Sequence, residues 1–188
     1  MRRRIKDILR DSISVKERIL ENQIDTILEI VKVIISSFRR GGKLLFFGNG
    51  GSASDCQHLA AEFVGRFQKE RKALPAISLT TDTPIITSLS NDYNFEIIFS
   101  RQIEALGKKG DVVVGITTSG RSKNVILGLK KAKEMGLKTI VLTGERGKSL
   151  GKIVDICLAV PSDRTPRIQE AHITIGHIIC ELTEKELF

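Results

Sequence analysis

The stretch KLLFFGNGGS, Lys43–Ser52, decides the fold. Leu44–Phe47 is a short continuous apolar run, the signature of a strand buried on both faces. It breaks at Gly48-Asn49-Gly50-Gly51-Ser52, and helical periodicity follows over roughly residues 52–68. A buried strand, a glycine turn and a helix open a βαβ unit. The same texture repeats along the chain. Ala76–Leu79, Asp111–Ile116 (DVVVGI), Lys138–Leu142 and Asp155–Val160 read as further strands. Helical or turn-forming segments lie near residues 83–90, 94–107 and 122–135, and a closing helix spans 166–186. Short apolar runs alternating with helices imply parallel strands joined by right-handed crossovers. The expectation is therefore a doubly wound α/β layer structure with about five strands, whose ligands sit beyond the carboxyl ends of the strands.

Upstream of Gly41 and Gly42, residues 1–38 carry helical periodicity. Ile5, Ile8, Leu9 and Ile13 recur at spacings of three and four, and Ile24, Ile27, Leu28, Val31 and Ile35 repeat the pattern. Two helices, nearly continuous, are expected. Such a stripe ordinarily faces a core, and on an N-terminal extension it can also meet another subunit. The chain is expected to form one domain, with N-terminal helices over 1–38 and a parallel α/β core over 43–188. A length of 188 residues suffices for a core without disulfides or structural metals.

The three cysteines, Cys56, Cys157 and Cys180, are odd in number and form no CxxC pair, which points to a reducing compartment. Arg2–Arg4 are followed by no continuous apolar region, so no signal peptide is expected. Nothing approaches the roughly 18 uninterrupted apolar residues of a membrane span. The net charge of +8 is scattered rather than blocked, and aromatic residues are only 5% with no Trp. A solvated surface that steers anionic substrates explains this better than nucleic-acid binding.

Two strand ends carry loops suited to an anion. One is Gly48–Ser52; the other is Thr117-Thr118-Ser119-Gly120-Arg121-Ser122. Glycines admit an oxyanion to the backbone, and the free N–H groups of a helix start add positive potential. The hydroxyls of Thr117, Thr118, Ser119 and Ser122 add donors. Gly48, Gly50 and Ala53 also satisfy a loose dinucleotide pattern, but the acidic residue that would hold a ribose belongs about 20 positions on. The second strand ends instead near Thr80, Thr81 and Asp82, too far along, and the Ser/Thr loop would go unexplained. His58 and Glu62 lie four apart on one helix face, a spacing that suits an ion pair or chelation of Zn²⁺. Gln169 and His177 stand about 80° apart around the last helix, from a step of about 100° per residue. His172 lies nearly opposite His177 and is expected to be exposed or structural.

FGNGGSASDCQHLAAEFVGRF, LSNDYNF, GDVVVGITTSGRSKNV and RIQEAHITIGHIICELTE, in this order, resemble the phosphoheptose isomerase family of sugar isomerase (SIS) domains. The resemblance spans essentially the whole chain. It implies a flavodoxin-like SIS fold, a five-stranded parallel sheet between helices with an N-terminal helical extension that helps build a homotetramer. It implies isomerisation of sedoheptulose 7-phosphate to D-glycero-D-manno-heptose 7-phosphate through an enediol, in the cytoplasm. That reaction is the first step of nucleotide-activated heptose synthesis for lipopolysaccharide and related polysaccharides.

Matched by motif, Glu62 is the base and His177 its acid partner. The resemblance implies that His58, Glu62, Gln169 and His177 hold one zinc ion per subunit. Asn49, Gly50, Gly51, Ser52, Glu62, Arg66, Asn91, Asp92 and Gln169 contact substrate. Thr117, Thr118, Ser119 and Ser122 cradle its phosphate. Arg121 and Pro166 depart from the family pattern. The partner expected is a small sugar phosphate, with neither nucleic acid nor membrane. Related SIS domains include a scaffold for the bacterial replication initiator, which lacks the residues matched by Glu62 and His177, and sugar-phosphate sensors.

Overall fold

The computed structural model describes residues 1–188. Five parallel strands, β1 (Leu44–Gly48), β2 (Ala76–Ser78), β3 (Val112–Thr117), β4 (Lys138–Gly144) and β5 (Ile156–Val160), form one sheet in the order β2-β1-β3-β4-β5. This is the flavodoxin-like order, and it reverses direction between β1 and β3. The crevice for a ligand therefore opens where the Gly48–Ser52 and Thr117–Ser122 loops leave the sheet.

Alternation along the strands builds two cores. Leu44, Phe46, Val112, Val114, Ile116, Ile140 and Leu142 face one layer. Leu45, Phe47, Val113 and Val141 face the other. The first layer is covered by α1 (Arg2–Asn22), α2 (Ile24–Arg39), α3 (Gly51–Val64) and α7 (Thr165–Leu187). The second is covered by α5 (Ile98–Leu106) and α6 (Lys123–Glu134), with α4 (Thr83–Asp92) leading into α5 through a 3-10 turn, Phe95–Ile97. Both faces of every central strand are thus dry, which is why those strands read as unbroken apolar runs.

Four details refine or depart from the sequence pattern. The N-terminal helices break at Gln23, whose φ of −126° and ψ of 1° leave the helical region. In α1 only Val15 and Ile19 are buried, while Ile5, Ile8, Leu9 and Ile13 are each 50–58% exposed. That stripe does not face this subunit's core. Helix α3, expected to reach residue 68, stops at Val64. The N–H groups of Phe67, Gln68 and Lys69, which continued helix would direct inward, instead bond the carboxylate of Glu184. A 3-10 segment, Glu145–Lys152, follows β4 without an apolar pattern to announce it.

Candidate active site

Helices α3 and α7 carry the candidate acid–base residues, and their close approach is what brings these together. A Cβ added at Gly176 would meet the Leu59 side chain at 2.6 Å, so glycine lets the two helices come into contact there. The next residue, His177, then reaches across. Its Nε2 stands 2.9 Å from Nε2 of His58, and the ring centroids are 5.1 Å apart. Glu62, one turn on from His58, places Oε1 3.4 Å from His58 Nε2. Three residues from two helices, 119 positions apart at the widest, form one cluster. The cluster is open, with the His58 and Glu62 side chains 46% and 22% exposed.

The Phe67 ring rests 5.4 Å from the His177 ring. Asp55, one turn before His58, has a buried Oδ2 with no hydrogen-bond partner. Burial pushes its carboxyl above the ordinary range, with His58 pulling the other way.

Gln169 sits two turns before His177, and its amide lies over the glycine loop. A Cβ at Gly51 would be 2.3 Å from Gln169 Nε2, so the glycine leaves room for the amide. Around the same loop, Gly50 is the residue before α3, and no side chain caps the helix. Ser52 is buried in its first turn. Across the crevice, α6 likewise begins without a side-chain cap after Ser122. At these two helix starts the N–H groups of Ser52, Ala53 and Ser54 bond the Asn49 and Gly50 carbonyls and that of Val125 bonds Asn124 Oδ1, while those of Gly51, Lys123 and Asn124 remain to meet an anion.

The Ser/Thr loop is held in shape from below. Thr117 Oγ1 lies 3.2 Å from Ser122 Oγ, Arg121 N–H donates to Ser119 Oγ at 3.2 Å, and Gly144 N–H donates to the Thr118 carbonyl at 3.2 Å. Gly120 takes φ of +66° and lies against Gly147, where a Cβ would be 2.4 Å from the Gly147 Cα. Only glycine suits both demands. Under the end of β4, His172 is fully buried and donates from Nε2 to the Thr143 carbonyl at 3.2 Å. Burial lowers its pKa to about 4, so the ring is neutral. His172 is therefore structural and not exposed.

Asn124 was not among the residues the sequence singled out. It is buried, and its amide exchanges two hydrogen bonds with that of Asn49, at 2.9 and 2.8 Å. That pair ties the glycine loop to the first turn of α6. No spacing rule announces it, because 75 residues separate the two. Asn91 and Asp92, at the end of α4, are exposed and bond each other, with no hydrogen bond to another candidate residue. Arg66 is exposed beside Glu70, at 3.6 Å. Arg121 is exposed, and Pro166 occupies the first turn of α7. No acidic residue stands at the end of β2, where a dinucleotide ribose would need one.

No three His, Cys, Asp or Glu side chains converge on one point as they stand. The donor set nonetheless suits zinc. Ligand bonds of about 2.0–2.1 Å at a tetrahedral centre place neighbouring donors roughly 3.3 Å apart. The His58–His177 and His58–Glu62 separations of 2.9 and 3.4 Å bracket that value. A concavity of about 630 Å³ lies elsewhere, between α1 and the turn after β5, lined by Asp11, Arg18, Glu145 and Arg164. Mixed charges and no acid–base pair make it unlike the crevice chemistry.

Comparison with known proteins agrees with this geometry. A family model described as SIS domain matches residues 9–144. The chain is 54% identical to a phosphoheptose isomerase of Roseiflexus sp. (strain RS-1), over 97% of this chain and 92% of the relative. It is also 54% identical to one of Aquifex aeolicus (strain VF5), over 98% and 97%. The solved phosphoheptose isomerase of Neisseria gonorrhoeae superposes with a TM-score of 0.92 at 39% identity, covering 98% of each chain.

Proposed function

The chain belongs to the phosphoheptose isomerases of the SIS-domain family, and from that premise we propose how its residues convert sedoheptulose 7-phosphate into D-glycero-D-manno-heptose 7-phosphate. The observation that carries the reading is the Glu62–His58–His177 cluster at the mouth of the crevice. Glu62 removes a proton from C1 of the ketose, and the electron pair moves to form the C1–C2 enediol. His177 carries a proton from the C1 hydroxyl to the C2 oxygen. Glu62 then returns its proton to C2, leaving the aldose with its carbonyl at C1. Oε1 of Glu62 lies 3.4 Å from His58 Nε2, at ion-pair distance. The carboxylate takes no side-chain hydrogen bond that would tie up its lone pairs, which leaves it able to accept the carbon-bound proton.

The phosphate is bound at the far end. The uncapped start of α6 and the hydroxyls of Thr117, Thr118, Ser119 and Ser122 supply donors for it, and Asn49, Gly50, Gly51, Ser52, Arg66, Asn91 and Asp92 supply polar contacts for the sugar. Binding energy at the phosphate holds C1 and C2 against Glu62. His58, Glu62, Gln169 and His177 would hold a Zn²⁺ ion, which supplies a Lewis acid for the oxygens on C1 and C2. Proton NMR of the protein with sedoheptulose 7-phosphate tests the reading. New anomeric signals of an aldoheptose phosphate are expected, lost with a chelator and regained with zinc. Absence of turnover with added zinc would overturn the activity, and unchanged turnover in chelator would remove the metal.

The assembly proposed is a homotetramer. Its support is the exposed apolar stripe of α1, Ile5, Ile8, Leu9 and Ile13, continued by exposed Leu20 and Ile24. A stripe of this kind on a helix calls for an apolar partner. Light scattering should give four times the 20.8 kDa chain mass at micromolar concentration; a single-chain mass would refute the assembly. Three free thiols and the absence of any helix long and apolar enough to cross a membrane support a cytoplasmic setting, where the product feeds heptose synthesis for surface polysaccharide.

A further inference from the structure

The connection after α3 is closed by a buried ion pair that the reaction does not use. The last carbonyls of a helix have no partner within it. In α3 they are taken by Arg71. Its Nη2 donates to the Glu62 carbonyl at 2.9 Å, and its Nη1 donates to the Phe63 carbonyl at 2.9 Å and to the Lys72 carbonyl at 3.0 Å. Its Nε donates to Oε2 of Glu184, on α7, at 2.8 Å. Glu184 also accepts the N–H groups of Phe67, Gln68 and Lys69 at 3.0, 2.8 and 2.6 Å. Both side chains are sealed from solvent, 1% and 2% exposed. Burial alone would raise the Glu184 carboxyl, but the three N–H donors and Arg71 outweigh it and hold it at about 2.

These bonds end on the residues that matter to the chemistry. One falls on the backbone of Glu62 itself. Others immobilise the segment that bears Arg66 and presents Phe67 to His177. Glu184 lies seven residues after His177, two turns along α7 and on the same face. The distance between the α3 carboxylate and the α7 imidazole is therefore set at two levels, by Gly176 against Leu59 and by Arg71 with Glu184.

We propose that Arg71 and Glu184 are positioning residues for proton transfer, a clasp that holds Glu62 in register with His177 without touching substrate. The proposal rests on the reading of Glu62 as the proton carrier. Displacing a reacting group by about 1 Å can cost roughly 10²-fold in rate. A pair that only closed the loop would instead alter stability and leave folded enzyme fully active.

Steady-state kinetics of Arg71→Lys and Glu184→Gln with sedoheptulose 7-phosphate distinguishes these, at a temperature where circular dichroism matches the parent. Arg71→Lys keeps the charge beside Glu184 but loses the forked donors to the carbonyls. Glu184→Gln keeps the shape and the Arg71–carbonyl bonds, so it reads the clasp even where the lysine variant does not fold. The expected result is a fall in kcat of about 10²-fold, with KM and the calorimetric affinity for inorganic phosphate changed less than about threefold. The phosphate cradle belongs to β3 and α6, outside the clasp. Unchanged kcat in a folded variant of lowered Tm overturns the proposal, as does a rise in KM at constant kcat. Glu62→Gln is run in parallel: full activity there removes the proton carrier, whereas an inactive Glu62→Gln beside fully active clasp variants removes the clasp alone.

Discussion

Glu62→Gln is expected to lower kcat by about 10²–10⁴-fold, the usual contribution of a positioned general base, while KM stays within a few-fold. The amide matches the carboxylate in shape, so the approach to His58 and the α3–α7 packing survive. What the amide cannot do is take up a carbon-bound proton. Single-turnover NMR in deuterated water provides the sharpest check. The parent enzyme should exchange deuterium into C2 of the product, and the variant should not. Near-parental turnover in a folded Glu62→Gln protein would show that another group moves the proton.

Glu184→Ala is expected to carry the largest loss of stability. Removing one partner of a buried pair leaves the other charge unpaired, at a cost of about 3–5 kcal/mol. Here Arg71 and three N–H groups lose their acceptor together. For a chain of this length each kcal/mol moves Tm by about 2–4 °C, so a drop of roughly 10 °C should be seen by scanning calorimetry.

The same carboxylate sets an acid limit. Its folded pKa of about 2 lies below the ordinary 4.5, so its contribution is complete above pH 4.5 and is lost as pH falls toward 2. At about 1.4 kcal/mol per unit this amounts to about 3 kcal/mol. Parent Tm should fall steeply between pH 5 and pH 2.5, and Glu184→Gln should flatten that slope. Parallel slopes would remove Glu184 from the acid transition.

The α/β architecture was readable from the chain because each central strand is dry on both sides. Leu44–Phe47 and Val112–Val114 are apolar at every position, and such runs cannot belong to a one-sided sheet. The glycine and Ser/Thr loops were readable for a related reason. A loop that must bring backbone N–H groups to an oxyanion needs small residues and hydroxyls in sequence. His58 and Glu62 were legible as a pair because four residues span one helical turn. The end of α3 was misjudged by four residues, because the donors that terminate it bond a carboxylate more than a hundred positions away. The apolar stripe of α1 shows a different limit. Periodicity reveals that Ile5, Ile8, Leu9 and Ile13 share a face, but not what that face meets.

Sequence alone therefore determined the order of elements along the chain, the two candidate anion-binding loops and the spacing of His58 and Glu62 one turn apart, because each depends on neighbours within about a turn or on alternation along one strand. Tertiary structure alone decided that His58 meets His177, that Asn49 pairs with Asn124 and that Arg71 is neutralised by Glu184. Those contacts join residues 75 to 119 positions apart. They exist only because Gly176 admits Leu59 between packed helices and because the sheet order sets β1 beside β3. Packing between distant segments has no local signature, and the chemistry of this site is made there.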